Sequence, residues 1–133
     1  TASFMTPGVN IGLFCSTPMV AVSRNISRKK IMEMLLTGEK LSAQEAVQFG
    51  LINKCVPLER LYVDTLNLAK LIASKPTSTV KIGKEAFYKQ VDMSLDEAYH
   101  YTSEVMAINM MEIDAHEGIS AFLDKRPPSW NEK

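Results

Sequence analysis

From Ser27 onward, apolar side chains recur every three or four positions, and helix-capping residues punctuate them. Ser27 precedes RKKIMEMLLTG, where Ile31, Met34 and Leu35 share one face and Gly38 supplies a stop. Ser42 and Glu45 stand at capping-box spacing before a short helix that ends at Gly50. Residues 51–56, LINKCV, are short and β-leaning, and Pro57 closes them, which predicts a strand or extended segment. A long helix is expected from about Leu58 to Ser74, with Leu61, Thr65, Leu68 and Ile72 on one stripe and Pro76 as its breaker. The next runs from about Thr77 to Gln90, with Val80, Lys84, Phe87 and Val91 near one side. Ser94 and Glu97 form a second capping box, opening a helix through about Met111. Its inward positions are read as Leu95, Ala98, Tyr99, Thr102, Val105, Met106 and Asn109. A last helix is expected over about Ala115 to Lys125, stopped by Pro127-Pro128.

The opening residues follow another pattern. Phe4, Val9, Ile11 and Leu13 are apolar, interrupted by Pro7-Gly8 and Gly12, as in the end of a buried strand running into a loop. Thr17 can cap a short helix through Arg24 that has Pro18 in its first turn. A two-stranded scrap is not stable alone, so the opening strand is expected to need a sheet from elsewhere.

Composition narrows the function classes. Hydrophobic residues make up 46% and charged residues 23% of 133, an ordinary globular mixture with enough chain for a core. Fifteen basic residues balance fifteen acidic ones, so there is no overall field to draw in nucleic acid or an anionic membrane. The lysines of KIGKEAFYKQ, Lys81, Lys84 and Lys89, do not alter that balance. No apolar run approaches the roughly 18 residues that span a bilayer. Cys15 and Cys55 lie far apart, outside any CxxC spacing, and read as reduced, mostly buried thiols. No leader pattern is visible and the first residue is Thr, so the sequence is expected to be processed or taken from a longer polypeptide.

Four ordered segments carry a resemblance: FMTPGVNIGLF, LLTGEKLSAQEAVQFGLINKCVP, KIGKEAFYK and EGISAFLDKRPPSW. Together they resemble the C-terminal half of the crotonase family, the enoyl-CoA hydratases and isomerases, and within it a subgroup of hydratase-domain-containing proteins. The resemblance implies an α/β crotonase fold, a ClpP/crotonase-like spiral of which this chain is the mostly α-helical C-terminal half. Residues 1–57 would then be the end of the ββα spiral with flanking helices, and 58–133 the helical trimerisation region. The eight methionines suit adaptable packing against neighbouring helices. The implied partners are an acyl-CoA substrate, the N-terminal half of the domain, and further copies in a homo-trimer or dimer of trimers. No nucleic acid and no membrane is expected, and the location is bacterial cytoplasm or mitochondrial matrix. No separate cofactor is implied, since coenzyme A arrives as part of the substrate.

Family chemistry stabilises a thioester enolate with two backbone N–H groups, and in hydratases two glutamates move protons. By the resemblance, the oxyanion donors and the first glutamate precede this sequence. The second glutamate follows a proline, and here that pair is Pro7-Gly8. Glycine cannot transfer a proton, so no catalytic residue is assigned to this chain, and the parent is read either as a hydratase/isomerase relative or as a non-catalytic CoA-binding or oligomeric scaffold. Pro7, Gly8, Phe14 and Ser16 are expected to line the acyl pocket. Cys15 lacks a neighbouring base and reads as a neutral thiol. Phe122 and Lys125 match the family's CoA-binding positions, an aromatic near adenine and an ammonium on phosphate of a neighbouring subunit. Their three-residue spacing is expected to put them on one helix face, and Arg126 either assists or sits at the surface. His116, with Asp114 and Glu117, matches no strong metal spacing, and no metal is assigned. His100 is expected on an exposed helix face, as are Glu33, Glu45, Glu85 and Glu104.

Overall fold

Side-chain caps mark the starts of the helices that follow Ser27, Ser42 and Ser94. In the computed structural model, which describes residues 2–131, the chain divides into two compact units, Thr1–Asp64 and Thr65–Lys133.

In the first unit, strand β1 (Ser3–Phe4) pairs antiparallel with β2 (Leu41–Ser42), Ser3 opposite Ser42 and Phe4 opposite Leu41. The expectation of a strand without a partner in its own chain is thus corrected, because the TGEKLS turn brings a partner back to it. The extended reading of Val9 and Ile11 is corrected too. Pro7–Ile11 is a 3-10 helix, for which Pro7 presets φ at the start and Gly12, at φ 78°, ends it. Helix α1 (Ser16–Val22) begins earlier than expected. Cys15, not Thr17, is its N-cap residue, and no side chain caps it.

Helix α2 (Arg28–Thr37) opens as read, with the Ser27 hydroxyl accepting from Lys30 N–H at 3.3 Å. It ends at Gly38, φ 65°, where a Cβ would stand 2.7 Å from Asn10 Nδ2. The left-handed backbone favours glycine, and a Cβ would in addition push the Asn10 side-chain amide aside. Helix α3 (Ala43–Gln48) carries the full capping box: Glu45 N–H donates to Ser42 Oγ at 3.2 Å, and Ser42 N–H and Oγ–H donate to Glu45 Oε2 at 2.9 and 2.6 Å. The core of this unit joins Ile26, Ile31, Met34, Leu35, Leu41 and Ala46, with Phe4, Cys15, Met19, Val22 and Phe49 packed on it. Residues 51–56 form no strand. Leu51 and Ile52 N–H both donate to Ala46 O, at 2.8 and 3.3 Å. Those bonds to the preceding helix end use donors that a sheet ladder would need.

Helix α4 (Leu58–Ala73) contains the division between the units. The second unit adds α5 (Thr77–Gln90), α6 (Leu95–Met110) and α7 (Ile113–Leu123), which pack on one another. Helix α7 starts and ends two residues earlier than its sequence pattern suggested. Ser94 N–H and Oγ–H donate to Glu97 Oε2 at 3.1 and 2.6 Å at the start of α6.

Unlike the stripe of α2, the apolar stripes of α4, α5 and α6 do not become a core. Among the described residues α4 and α6 have none that is buried. Leu61, Leu68, Ile72, Phe87, Val91, Leu95, Tyr99 and Met106 are all exposed. Small residues hold the close contacts instead, with Ala86 and Ala121 buried. A stripe at helical spacing says which residues share a face, not whether this chain supplies the surface that covers it.

Candidate functional site

The predicted acyl-pocket residues lie on one folded loop of the first unit. Pro7 starts the 3-10 helix and is exposed, Gly8 is half-buried, and Phe14 and Ser16 are exposed. Leu13 N–H donates to Gly8 O at 2.9 Å, and Gly8 N–H donates to Cys15 Sγ at 3.3 Å. Ser16 N–H and Oγ–H turn back to Phe14 O at 2.7 and 3.3 Å. The loop therefore closes over Gly8. A Cβ there would stand 2.7 Å from Leu13 O and 2.8 Å from Cys15 Sγ. The position is tight as well as lacking an acid, since the nearer obstacle is backbone. Beside it, Thr6 is buried, and its hydroxyl has no hydrogen-bond partner among the described residues.

Cys15 is half-buried, as a core-edge thiol should be, whereas Cys55 is exposed, which corrects its reading as buried. Cys55 lies in the irregular 51–56 segment, and the absence of a strand there leaves it uncovered. Both histidines belong to the second unit, so no imidazole of the first unit stands ready to activate Cys15.

The second unit holds Phe122 and Lys125, and their geometry differs from the helix-face expectation. Helix α7 ends at Leu123, Asp124 is its C-cap, and Lys125 adopts φ 54°. A left-handed conformation costs an L-residue roughly 1–2 kcal/mol. Lys125 thus leaves the helical spiral, and a backbone bond links it to Phe122: Lys125 N–H donates to Phe122 O at 3.3 Å. Phe122 is 82% exposed, so it is no part of this chain's core; Ala121 beside it, 1% exposed, takes that role.

Sequence reasoning left Glu117 in a helix start and Arg126 open between two roles. The structure joins them. Arg126 Nη1 and Nη2 donate to Glu117 Oε1 and Oε2 at 2.7 and 2.9 Å, a bidentate pair. Ser129 N–H adds a bond to Glu117 Oε1 at 2.7 Å, and Asn131 N–H donates to Asp114 Oδ1 at 2.9 Å. Trp130 Nε1–H donates to Ser74 O at 2.9 Å, and its ring lies over Gly118. Residues 126–131 thus form a strap folded back along α7. The Arg126 guanidinium, and after it the Ser129 N–H, hold the Glu117 carboxyl at a pKa of about 2. Glu117 in turn raises that of Arg126. The available signal was the acid nine residues before the arginine, across a helix end, a spacing that periodicity does not flag.

Of the remaining candidates, Asp114 is buried and engaged by the strap, while His116 is exposed. Among the described residues no group of three His, Cys, Asp or Glu side chains comes together to hold a metal ion. His100 is exposed, with Nε2 3.4 Å from Glu104. Lys81 and Lys84 edge a cleft of about 670 Å³ floored by Ile72, Ala73 and Val80 at the α4–α5 junction. Among the described residues no helix is long and apolar enough to cross a membrane.

The enoyl-CoA hydratase/isomerase family model matches residues 1–133. The chain belongs to that family. It is 52% identical over 130 residues to the mouse "Enoyl-CoA hydratase domain-containing protein 3, mitochondrial", covering 98% of this chain and 43% of that protein. The crystal structure of an enoyl-CoA hydratase from Mycobacterium smegmatis superposes with a TM-score of 0.95 at 45% identity, over 98% of this chain and 51% of the other. That of human enoyl-coenzyme A hydratase domain-containing protein 3 gives a TM-score of 0.92 at 51% identity, over 97% and 51%. The chain therefore carries part of a crotonase fold and spans about half the length of the relatives it matches, a share consistent with a C-terminal portion.

Proposed function

We propose that this enoyl-CoA hydratase/isomerase family chain is the C-terminal portion of a protein that handles acyl-CoA thioesters. It binds the coenzyme through Phe122 and Lys125 and lines the acyl end with the Pro7–Ser16 loop. The observation that carries the reading is that Phe122 and Lys125 are both exposed at the end of α7, linked by a backbone bond: a flat apolar surface and a cation at one helix end suit an adenine and a phosphate. Coenzyme A enters as part of the substrate, and the enolate-stabilising donors and first glutamate would come from the portion that these 133 residues do not include. The exposed apolar helix faces suit contact with that portion and with further copies, in a homo-trimer or dimer of trimers. A soluble compartment, bacterial cytoplasm or mitochondrial matrix, accords with the mouse relative's name and the mycobacterial neighbour.

Gly8 favours a second reading, a CoA-binding or scaffold protein without hydratase turnover. The loop that closes on it leaves no room for the missing carboxylate. Removing a positioned acid or base costs about 10²–10⁴-fold in rate. The test is crotonyl-CoA hydration together with CoA binding by the full-length polypeptide. Turnover within tenfold of an ordinary hydratase would refute the scaffold reading, and CoA binding without turnover would refute the hydratase one.

A further inference from the structure

The left-handed backbone at Lys125 is unfavourable for a lysine, and it persists only if its surroundings impose it. Hydrogen bonds on both sides of Lys125 impose it. On its N-terminal side α7 ends with Asp124 N–H on Ser120 O at 2.9 Å. On its C-terminal side Arg126 N–H returns to Ala121 O at 3.0 Å. The Arg126 guanidinium is fixed by both oxygens of Glu117, at 2.7 and 2.9 Å, and reaches Asp124 Oδ2 at 3.4 Å. Ser129, Trp130 and Asn131 then tie the following backbone to Glu117, Ser74 and Asp114. Lys125 is the reversal point between a helix end and a strap anchored at three places. The lysine side chain is long and flexible, so the anchoring of its backbone decides where its point charge can reach.

We infer that the strap is a positioning device: Glu117 and Arg126 hold the reversal that sets where the Lys125 ammonium stands beside Phe122, and so set the strength of its pairing with a phosphate of the bound coenzyme. The inference rests on the proposed role of Lys125. Glu117 and Arg126 are positioning residues and touch no ligand. Glu117→Gln leaves one acceptor oxygen but removes the charge and the second acceptor, so the guanidinium loses its two-point hold on α7 while Lys125 keeps its charge.

The experiment is calorimetric titration of the full-length protein with CoA at low and high ionic strength. The variants are Lys125→Ala, Glu117→Gln and the double variant, with pantetheine as a phosphate-free probe. Lys125→Ala is expected to weaken CoA roughly three- to tenfold at low salt and to flatten the salt dependence. Glu117→Gln is expected to weaken CoA by about twofold or more, to flatten the salt dependence in the same way, and to add nothing in the Lys125→Ala background. Pantetheine affinity should not change in any variant. Arg126→Lys, which keeps the charge and loses the fork, should fall between wild type and Glu117→Gln. An equal Glu117→Gln loss with and without Lys125, or a loss that extends to pantetheine, would show a merely structural role and overturn the inference. So would unchanged CoA affinity in Glu117→Gln and Arg126→Lys while Lys125→Ala is impaired. Unchanged affinity in Lys125→Ala would remove Lys125 from the site and overturn the underlying reading along with the inference.

Discussion

Gly8 and Glu117 show how much a single position decides. At Gly8 a methyl group meets Leu13 O at 2.7 Å. Gly8→Ala should therefore destabilise the chain by about 1–3 kcal/mol, the usual range for overpacking. Chemical denaturation read by circular dichroism checks this, and an unchanged midpoint would mean that the loop opens freely. For Glu117 the sign follows from its lowered pKa of about 2. Its ordinary value is about 4.3, so between the two values the unfolded chain binds more protons and stability rises with pH. The strap's contribution is complete above the ordinary value and is lost as pH falls from about 4.3 towards 2. Trp130 is the chain's single tryptophan and sits in the strap. Its fluorescence should change in that acid window and stay flat from pH 5 to 8. Glu117→Gln should abolish the acid change, and a transition centred near neutrality would contradict the assignment. Glu45 and Glu97, also lowered by their capping-serine hydroxyls, contribute to global stability with the same sign through their own helix starts.

At the scale of elements, side-chain caps proved the most legible feature. Ser27, Ser42 with Glu45, and Ser94 with Glu97 stand where the pattern put them, because a cap is a local hydrogen bond within four residues. Thr17, read the same way, caps nothing, because the chain folding over Gly8 starts α1 at Ser16. The contrast yields a paired prediction. Ser42→Ala should cost about 1 kcal/mol, within the ~0.5–2 range for lost N-caps, while Thr17→Ala should be close to neutral. Thermal unfolding of the two variants side by side tests it; equal losses would count against the α1 start. Of the two forms expected at residues 51–56, a strand or an extended segment, the strand does not form, for a related reason. Its β-leaning residues are outweighed by backbone bonds to Ala46 O, a tertiary choice that propensity does not contain.

For the whole molecule, the exposed faces of α4 and α6 set the expectation. Leu61, Tyr62, Leu71, Ile72, Tyr99 and Ile108 are each more than half exposed, and such surface is costly in water. The isolated chain should therefore associate with itself or bind a hydrophobic dye. Light scattering coupled to gel filtration should give masses above 14.8 kDa that grow with concentration. A monomer at every concentration, with no dye binding, would mean these faces find cover within the chain. The same chain should show no crotonyl-CoA hydration, because on the proposed reading the enolate-stabilising donors and the first glutamate are not among its 133 residues; a hydratase-free preparation that turns over would contradict this.

The order of helices, most of their caps and the family could be read from the sequence alone, because each rests on contacts or motifs close together along the chain. So could the glycine at position 8, standing where the family resemblance implies an acid. The closure of Leu13 and Cys15 over Gly8, the left-handed turn at Lys125 and the clasp of Glu117 on Arg126 were decided only in three dimensions. Each depends on groups brought together across a helix end or a loop. Periodicity records which residues share a face but carries no information about what that face meets.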